Sequence, residues 1–238
     1  MTIHAEKTVG QLVAENPAAA RVFEKAGIDY CCGGHRSLGE ACKQGKMPLE
    51  QVSELLEKAA AERGVTDRDW MAAGLSELVD HIVNQHHAYV RQELPRLQAL
   101  IEKVNRVHGK NHPELKQMAK IFEALADEMT MHMMKEEQIL FPYIAEMEQA
   151  MTARGVRPIP MFGTVRNPVR MMMMEHDSTG TKLRTIRQLS ADYRPPADAC
   201  TSYRVLYEAM ADFEADLHQH VHLENNILFP RAVEMENR

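Results

Sequence analysis

The chain has 238 residues and a net charge of −6, from 28 Lys and Arg against 34 Asp and Glu, with 17 Met and 12 Gly. That length accommodates one large domain or two modest ones, each with a real core. The acidic balance without a Lys/Arg run excludes nucleic acid as an expected partner, and no stretch reaches the roughly 18–20 apolar residues that span a bilayer.

Scarce glycine and the absence of β-branched alternation point to an all-α class. The opening MTIHAEKTVGQLVAENP lacks the basic-then-apolar pattern of a signal peptide. Four cysteines, two of them adjacent, make no disulfide framework. A reducing cytoplasm suits this composition.

Residues 1–65 read as a small helical N-terminal domain. Val9, Leu12, Val13, Val22, Phe23 and Ile28 suit two short helices, punctuated by Pro17 and Gly27. Tyr30-Cys31-Cys32-Gly33-Gly34 is a loop, and Pro48 opens a further helix. Arg63-Gly64-Val65 closes that helix and serves as a linker.

Residues 66–238 read as an up-down-up-down four-helix bundle. Thr66-x-x-Asp69 resembles a capping box opening helix one, whose stripe runs Val79, Val83, His87, Val90, Leu94, Leu97, Ile101, Val104 to a stop at Gly109. Pro113 opens helix two, with Met118, Phe122, Leu125, Met129, His132, Glu136 and Leu140 on its stripe, and Pro142 is expected to kink or end it. A loop runs from Gly155 to Asn167, where Asn167-Pro168 reads as cap and first turn of helix three. That helix carries Val169, Met172, Met173, His176, Leu183 and Ile186 until Pro195-Pro196 breaks it. Asp198 is placed to cap helix four, with Leu206, Met210, Phe213, Leu217, His220, Glu224 and Leu228. The run Met171–Met174 reads as core packing, and Cys42 and Cys200 as small buried apolar residues.

One motif occurs twice. His132 and Glu136 precede Ile139-Leu140-Phe141-Pro142, and His220 and Glu224 precede Ile227-Leu228-Phe229-Pro230, each copy reading H-x-x-x-E-x-x-I-L-F-P. Helical residues four apart differ by about 40° in azimuth and roughly 6 Å in rise, so each copy presents an imidazole and a carboxylate on one face. His87 and His176 lie in the apolar stripes of the other two helices. One His per helix plus two Glu gives six inward ligands, a count that suits two metal ions. Without metal, such buried groups leave charge unpaired in an apolar core, at several kcal/mol each. Nitrogen and oxygen donors with bridging carboxylates fit iron better than zinc.

His218 and His222 stand roughly 200° around the helix from His220 and are expected to face away, while His86 is about 100° off His87. His4, His35, His81, His108 and His112 lie outside the pattern and are assigned to solvent. Glu128 and Glu175 are candidates for supporting or labile carboxylates.

Taken together, HMMKEEQILFP, Glu175-His176-Asp177, LENNILFP and YCCGG resemble the iron–sulfur cluster repair di-iron proteins, with a hemerythrin-like bundle, over nearly the whole chain. The resemblance implies two non-haem iron ions (Fe2+/Fe3+), carboxylate-bridged and open to an oxo bridge, held by His87, His132, His176, His220, Glu136 and Glu224. It implies repair of clusters damaged by nitrosative or oxidative stress, by iron delivery or by binding and reducing nitric oxide. Its expected partners are damaged iron–sulfur proteins and nitric oxide or dioxygen, with no nucleic acid or membrane, in the cytoplasm and as a homodimer. Cys31 and Cys32 match the family's N-terminal pair and are candidate redox thiols if nearby charge lowers their pKa. An oxygen or nitric oxide binding or sensing protein without turnover is the competing reading, and a structural di-zinc bundle a third.

Overall fold

The computed structural model describes residues 4–61, 68–153, 155–156 and 158–238. The regular elements among the described residues are helices, as the composition predicts: α1 Val9–Glu15, α2 Ala19–Ala26, α3 Leu38–Gly45, α4 Leu49–Ala61, α5 Leu75–His81, α6 Ala88–His108, α7 Glu114–Lys135, α8 Phe141–Thr152, α9 Arg166–Leu189, α10 Thr201–Leu223 and α11 Phe229–Glu236. None of these helices is long and apolar enough to cross a membrane. Two compact units divide the chain: one draws on Met1–Asp80, Tyr143–Arg166 and His218–Arg238, the other on His81–Pro142 and Asn167–Leu217.

The second unit is a four-helix bundle, made of His81–Pro142 and Asn167–Leu217 rather than of all of residues 66–238. Its four helical passes bury Val90, Leu97, Ile101, Met118, Phe122, Leu125, Leu183, Ile186, Leu206, Phe213 and Leu217 in one core. These are the stripe positions of the sequence, and short connections at 109–113 and 190–200 fold successive helices back on one another. The third pass ends earlier than its prolines. Ala191, Asp192 and Tyr193 all take left-handed backbone, with φ of 51°, 59° and 56°, and stop α9 at Leu189. Asp198 does not cap α10. Its carboxylate lies 3.1 Å from His112 Nε2, and the helix starts at Thr201.

In the first unit, α1–α4 pack around Val9, Leu12, Phe23, Tyr30, Leu38, Val52 and Leu56. Two capping boxes open α1 and α3, Thr8 with Gln11 and Ser37 with Glu40. Helix α3 was not expected, although Ser37-x-x-Glu40 marks its start.

The expected capping box at Thr66 and the linker Arg63-Gly64-Val65 lie outside the described residues. The helix leading to His87 begins only at Leu75. Its first amides are capped by a residue remote in sequence: the Leu75 and Ser76 N–H groups donate to the Glu148 carboxylate at 2.6 and 2.8 Å, and the Ser76 hydroxyl at 2.6 Å. Burial works against this carboxylate, but the Ser76 and Leu75 donors and Arg231 hold its pKa below the usual range. Its stabilising contribution is therefore present above the ordinary carboxylate pKa and is lost as pH falls through the folded value. Glu148→Ala should cost about 1 kcal/mol, as cap removal does, read as a lower urea midpoint and faster amide exchange at Leu75 and Ser76. An unchanged midpoint would show that the cap adds nothing.

Candidate metal centre

Three helical passes contain a wide turn at the residues singled out as ligands. Ile82–His87, Glu136–Leu140 and Glu224–Leu228 are π-helical. In each, a backbone N–H reaches five residues back: Ala88 to the Val83 carbonyl, Phe141 to that of Glu136, Phe229 to that of Glu224. Such one-residue expansions occur often at functional sites. They also explain the I-L-F-P repeat. Proline lacks an N–H, and its ring clashes with the carbonyl four residues back in a regular helix. A widened turn just before Pro142 and Pro230 relieves that clash, so neither proline stops its helix: α8 and α11 continue at once. The expectation that Pro142 kinks or ends the helix is corrected on that ground. The first wide turn also shifts the stripe: Ile82 is fully buried and Val83 only partly.

Within the bundle unit, four of the expected ligands meet. His87, His132, Glu136 and His176 are all buried, Glu136 at 0% exposure. Glu136 Oε2 lies 3.4 Å from His87 Nε2 and 3.3 Å from His132 Nε2, and His176 Nε2 lies 3.0 Å from His132 Nε2. Glu136 groups with His87 on one side and with His132 and His176 on the other, the donor atoms of each set lying within 4.8 Å of one another.

A carboxylate sits beyond each of two imidazoles. His87 Nδ1 lies 2.6 Å from Glu137, which also binds Arg91, and His132 Nδ1 lies 2.9 Å from Glu175, which also binds Lys135. Burial alone would raise the pKa of both carboxyls. The hydrogen bonds from Arg91 and His87 to Glu137, and from Lys135 and His132 to Glu175, outweigh it and hold both below the usual range. An anionic acceptor at Nδ1 keeps the ring proton there and turns the Nε2 lone pair inward.

In the first unit, His220 and Glu224 form the matching pair, both at 0% exposure, with Nε2 to Oε1 at 3.1 Å.

These spacings test the fit of a metal. An ion holding donors at about 2.1 Å sets adjacent donors about 3.0–3.4 Å apart for angles of roughly 90–110°. The four donor-to-donor distances, 3.4, 3.3, 3.0 and 3.1 Å, fall in that range. Neutral imidazoles whose lone pairs face a buried carboxylate also repel it unless a cation or a proton lies between them. The donor set therefore fits a metal, and its nitrogen and oxygen chemistry fits iron.

Of the supporting candidates, Glu175 is placed against His132, whereas Glu128 is turned to Lys182 Nζ at 2.8 Å and to Ser178. Glu137 was missed. Its signal was the doubled Glu136-Glu137, one residue for each of two neighbouring faces. Glu137→Gln should weaken metal binding by about 10–100-fold, the usual effect of losing a ligand-orienting carboxylate. Chelator competition measures it, and an unchanged affinity would mean that His87 is oriented by packing alone.

Of the histidines assigned to solvent, His4 and His35 are exposed, whereas others outside the ligand set have partners within the protein. His86 is buried, with Nδ1 2.9 Å from Asp216. His112 lies between Glu114 and Asp198, and His108 packs on Tyr203. His222 does point away from His220, but into protein: it is buried edge-on to Tyr30, and burial pushes its pKa down to about 4.

Cys31 is also buried, and its hydrogen bond with Cys32, its burial and the nearby Asp29 hold the thiol well above its ordinary pKa. The expected exposed, acidified thiol is not found at Cys31. Cys42 is buried as expected, but Cys200 is exposed. Of the four-methionine run only Met172 is in the core, because a helix can turn no more than part of four successive residues inward. Met171, Met173 and Met174 are 51%, 42% and 62% exposed.

The model of the hemerythrin HHE cation binding domain matches residues 78–232, and that of ScdA_N, a domain of unknown function, matches residues 5–60. The chain is similar to a protein named probable iron-sulfur cluster repair protein from Haemophilus influenzae, at 36% identity over 96% of this chain and 97% of the relative. It is similar to proteins named iron-sulfur cluster repair protein YtfE from Escherichia coli, at 35% identity over 97% and 98%, and from Enterobacter sp., at 36% over 96% and 97%.

Proposed function

The chain belongs to the hemerythrin HHE family of cation-binding proteins, and on that footing we propose that it carries a carboxylate-bridged di-iron centre that repairs iron–sulfur clusters damaged by nitric oxide or oxidants. His87, His132, His176 and His220 are the terminal ligands, and Glu136 and Glu224 the bridges. One observation carries the dinuclear reading: a fully buried Glu136 stands between His87 on one side and His132 with His176 on the other. The His220–Glu224 pair repeats the same i, i+4 geometry, and in this reading it supplies the remaining ligands.

Bound iron supplies positively charged, exchangeable positions for a diatomic ligand and one-electron chemistry. The protein does the rest. Glu137 and Glu175 fix the Nδ1 protons of His87 and His132, and Arg91 and Lys135 hold those carboxylates in place. The Phe141 ring stacks on His87 at 5.7 Å and keeps water from that side. The names of the relatives support the repair role. In this reading the partners are damaged iron–sulfur proteins and nitric oxide or dioxygen, and the protein acts in the cytoplasm as a homodimer.

The test pairs metal analysis with a repair assay. Protein from iron-replete cells should hold two irons per chain and restore activity to a nitric oxide-treated iron–sulfur enzyme. Two irons without restoration would leave a nitric oxide or oxygen carrier, and zinc alone would overturn the reading.

A further inference from the structure

The YCCGG loop is built more tightly than a surface turn needs. Asp29 Oδ1 accepts the backbone N–H groups of Cys31 at 3.2 Å and Gly33 at 3.0 Å, which curls the loop around its carboxylate. Asn226 reaches across from the C-terminal wide turn, and its Nδ2 donates to the Tyr30 and Cys31 carbonyls at 3.2 and 3.4 Å. The two glycines are required by this closeness. A Cβ at Gly33 would stand 2.7 Å from the Asp29 carbonyl oxygen, and one at Gly34 would stand 2.3 Å from Asn226 Oδ1 and 2.7 Å from the Tyr30 carbonyl oxygen.

What this frame holds in place is a set of metal donors. Cys31 Sγ lies 3.3 Å from Asp29 Oδ1 and 3.9 Å from Cys32 Sγ, and the ligand atoms of all three residues lie within 4.8 Å of one another. A tetrahedral ion with sulfur at about 2.3 Å and oxygen at about 2.0–2.2 Å sets its sulfurs roughly 3.8 Å apart and sulfur to oxygen roughly 3.5 Å apart. The two edges at Cys31 match that pattern as the loop stands, and the third, between Cys32 and Asp29, lies within 4.8 Å.

We propose that Asp29, Cys31 and Cys32 form a second metal site, separate from the histidine and glutamate cluster, that takes a single divalent cation of the Fe2+ or Zn2+ class. Two thiolates and one carboxylate bind the ion. Both thiols release their protons on binding, and the metal–sulfur bonds replace the S–H bonds with no change of oxidation state. Structural zinc sites close with four protein ligands, whereas this one offers three and leaves the fourth position open to solvent or to an incoming ligand. Such a site exchanges its ion rather than locking it away, and it suits iron or zinc in transit. The alternative use of these cysteines, as an acidified nucleophile, fits the burial of Cys31 poorly. The proposal does not depend on the di-iron reading, because it rests on a different cluster.

Cobalt(II) is the probe. Full-length protein with its bundle metals already loaded is titrated anaerobically with Co2+. Expected is a near-ultraviolet thiolate-to-cobalt charge-transfer band that saturates at one equivalent and is abolished by added Zn2+. Cys31→Ser with Cys32→Ser should remove the band while leaving the loaded iron and the helical circular dichroism unchanged. Asp29→Asn should keep both thiolates and bind at least ~10-fold more weakly. No thiolate band in the wild-type protein overturns the proposal whatever the variants do. A band of equal strength in the double-serine variant, arising from Cys42 or Cys200, overturns it as well.

Discussion

Glu136→Gln protein is expected to purify with fewer than two metal ions per chain and to lose repair activity, while its metal-free form becomes more stable than the metal-free wild type. The side chain is fully buried between His87 and His132. Glutamine keeps its shape but offers one carbonyl oxygen and no negative charge, so it can neither bridge nor compensate two cations. The same charge is a burden when no metal is bound, since an uncompensated carboxylate is costly to bury in an apolar core and a neutral amide is less so. The two effects have opposite signs, which separates them from simple misfolding. Glu224→Gln should behave alike, because Glu224 is equally buried and follows its histidine by the same four residues. Iron content and thermal melts of loaded and metal-free protein provide the measurement. Two irons with an unaltered spectrum in Glu136→Gln would remove Glu136 from the bridge and with it the symmetric centre.

The second large effect separates two adjacent histidines. His87→Ala should lower metal affinity by more than the roughly 10–100-fold expected for a supporting residue, and His86→Ala should leave iron content unchanged. Both rings are buried, so burial alone does not distinguish them. Their partners do: His87 spans Glu137 at Nδ1 and Glu136 at Nε2, whereas His86 is turned to Asp216. The wide turn Ile82–His87 sets this register. The reverse result, iron lost in His86→Ala and kept in His87→Ala, would mean that the turn is placed one residue off.

The amino-acid sequence by itself determined the all-α class and the four bundle helices, and it singled out four side chains that meet within the bundle unit, His87, His132, Glu136 and His176. It could do so because those features are periodic: apolar residues and ligands recur at helical spacing, and a buried His or Glu within an apolar stripe needs a reason to be there. The duplicated H-x-x-x-E-x-x-I-L-F-P made the pairing of imidazole with carboxylate legible at once.

What only the tertiary structure decided was local and non-periodic. The wide turns at 82–87, 136–140 and 224–228 depend on hydrogen bonds reaching five residues back, and proline in that context reads as a stop rather than as a companion of a π turn. The cap on Leu75 comes from Glu148 and the hold on the YCCGG loop from Asn226, partners 73 and 195–196 residues away that no local pattern announces. Glu137, His86 and His222 needed the fold as well, because a polar group's role depends on which neighbour faces it. The environment of Cys31 went the same way: the sequence shows a thiol pair in a glycine-rich loop, but burial, Asp29 and the second sulfur decide its protonation. Those are distances through space, and they exist only once the chain has folded.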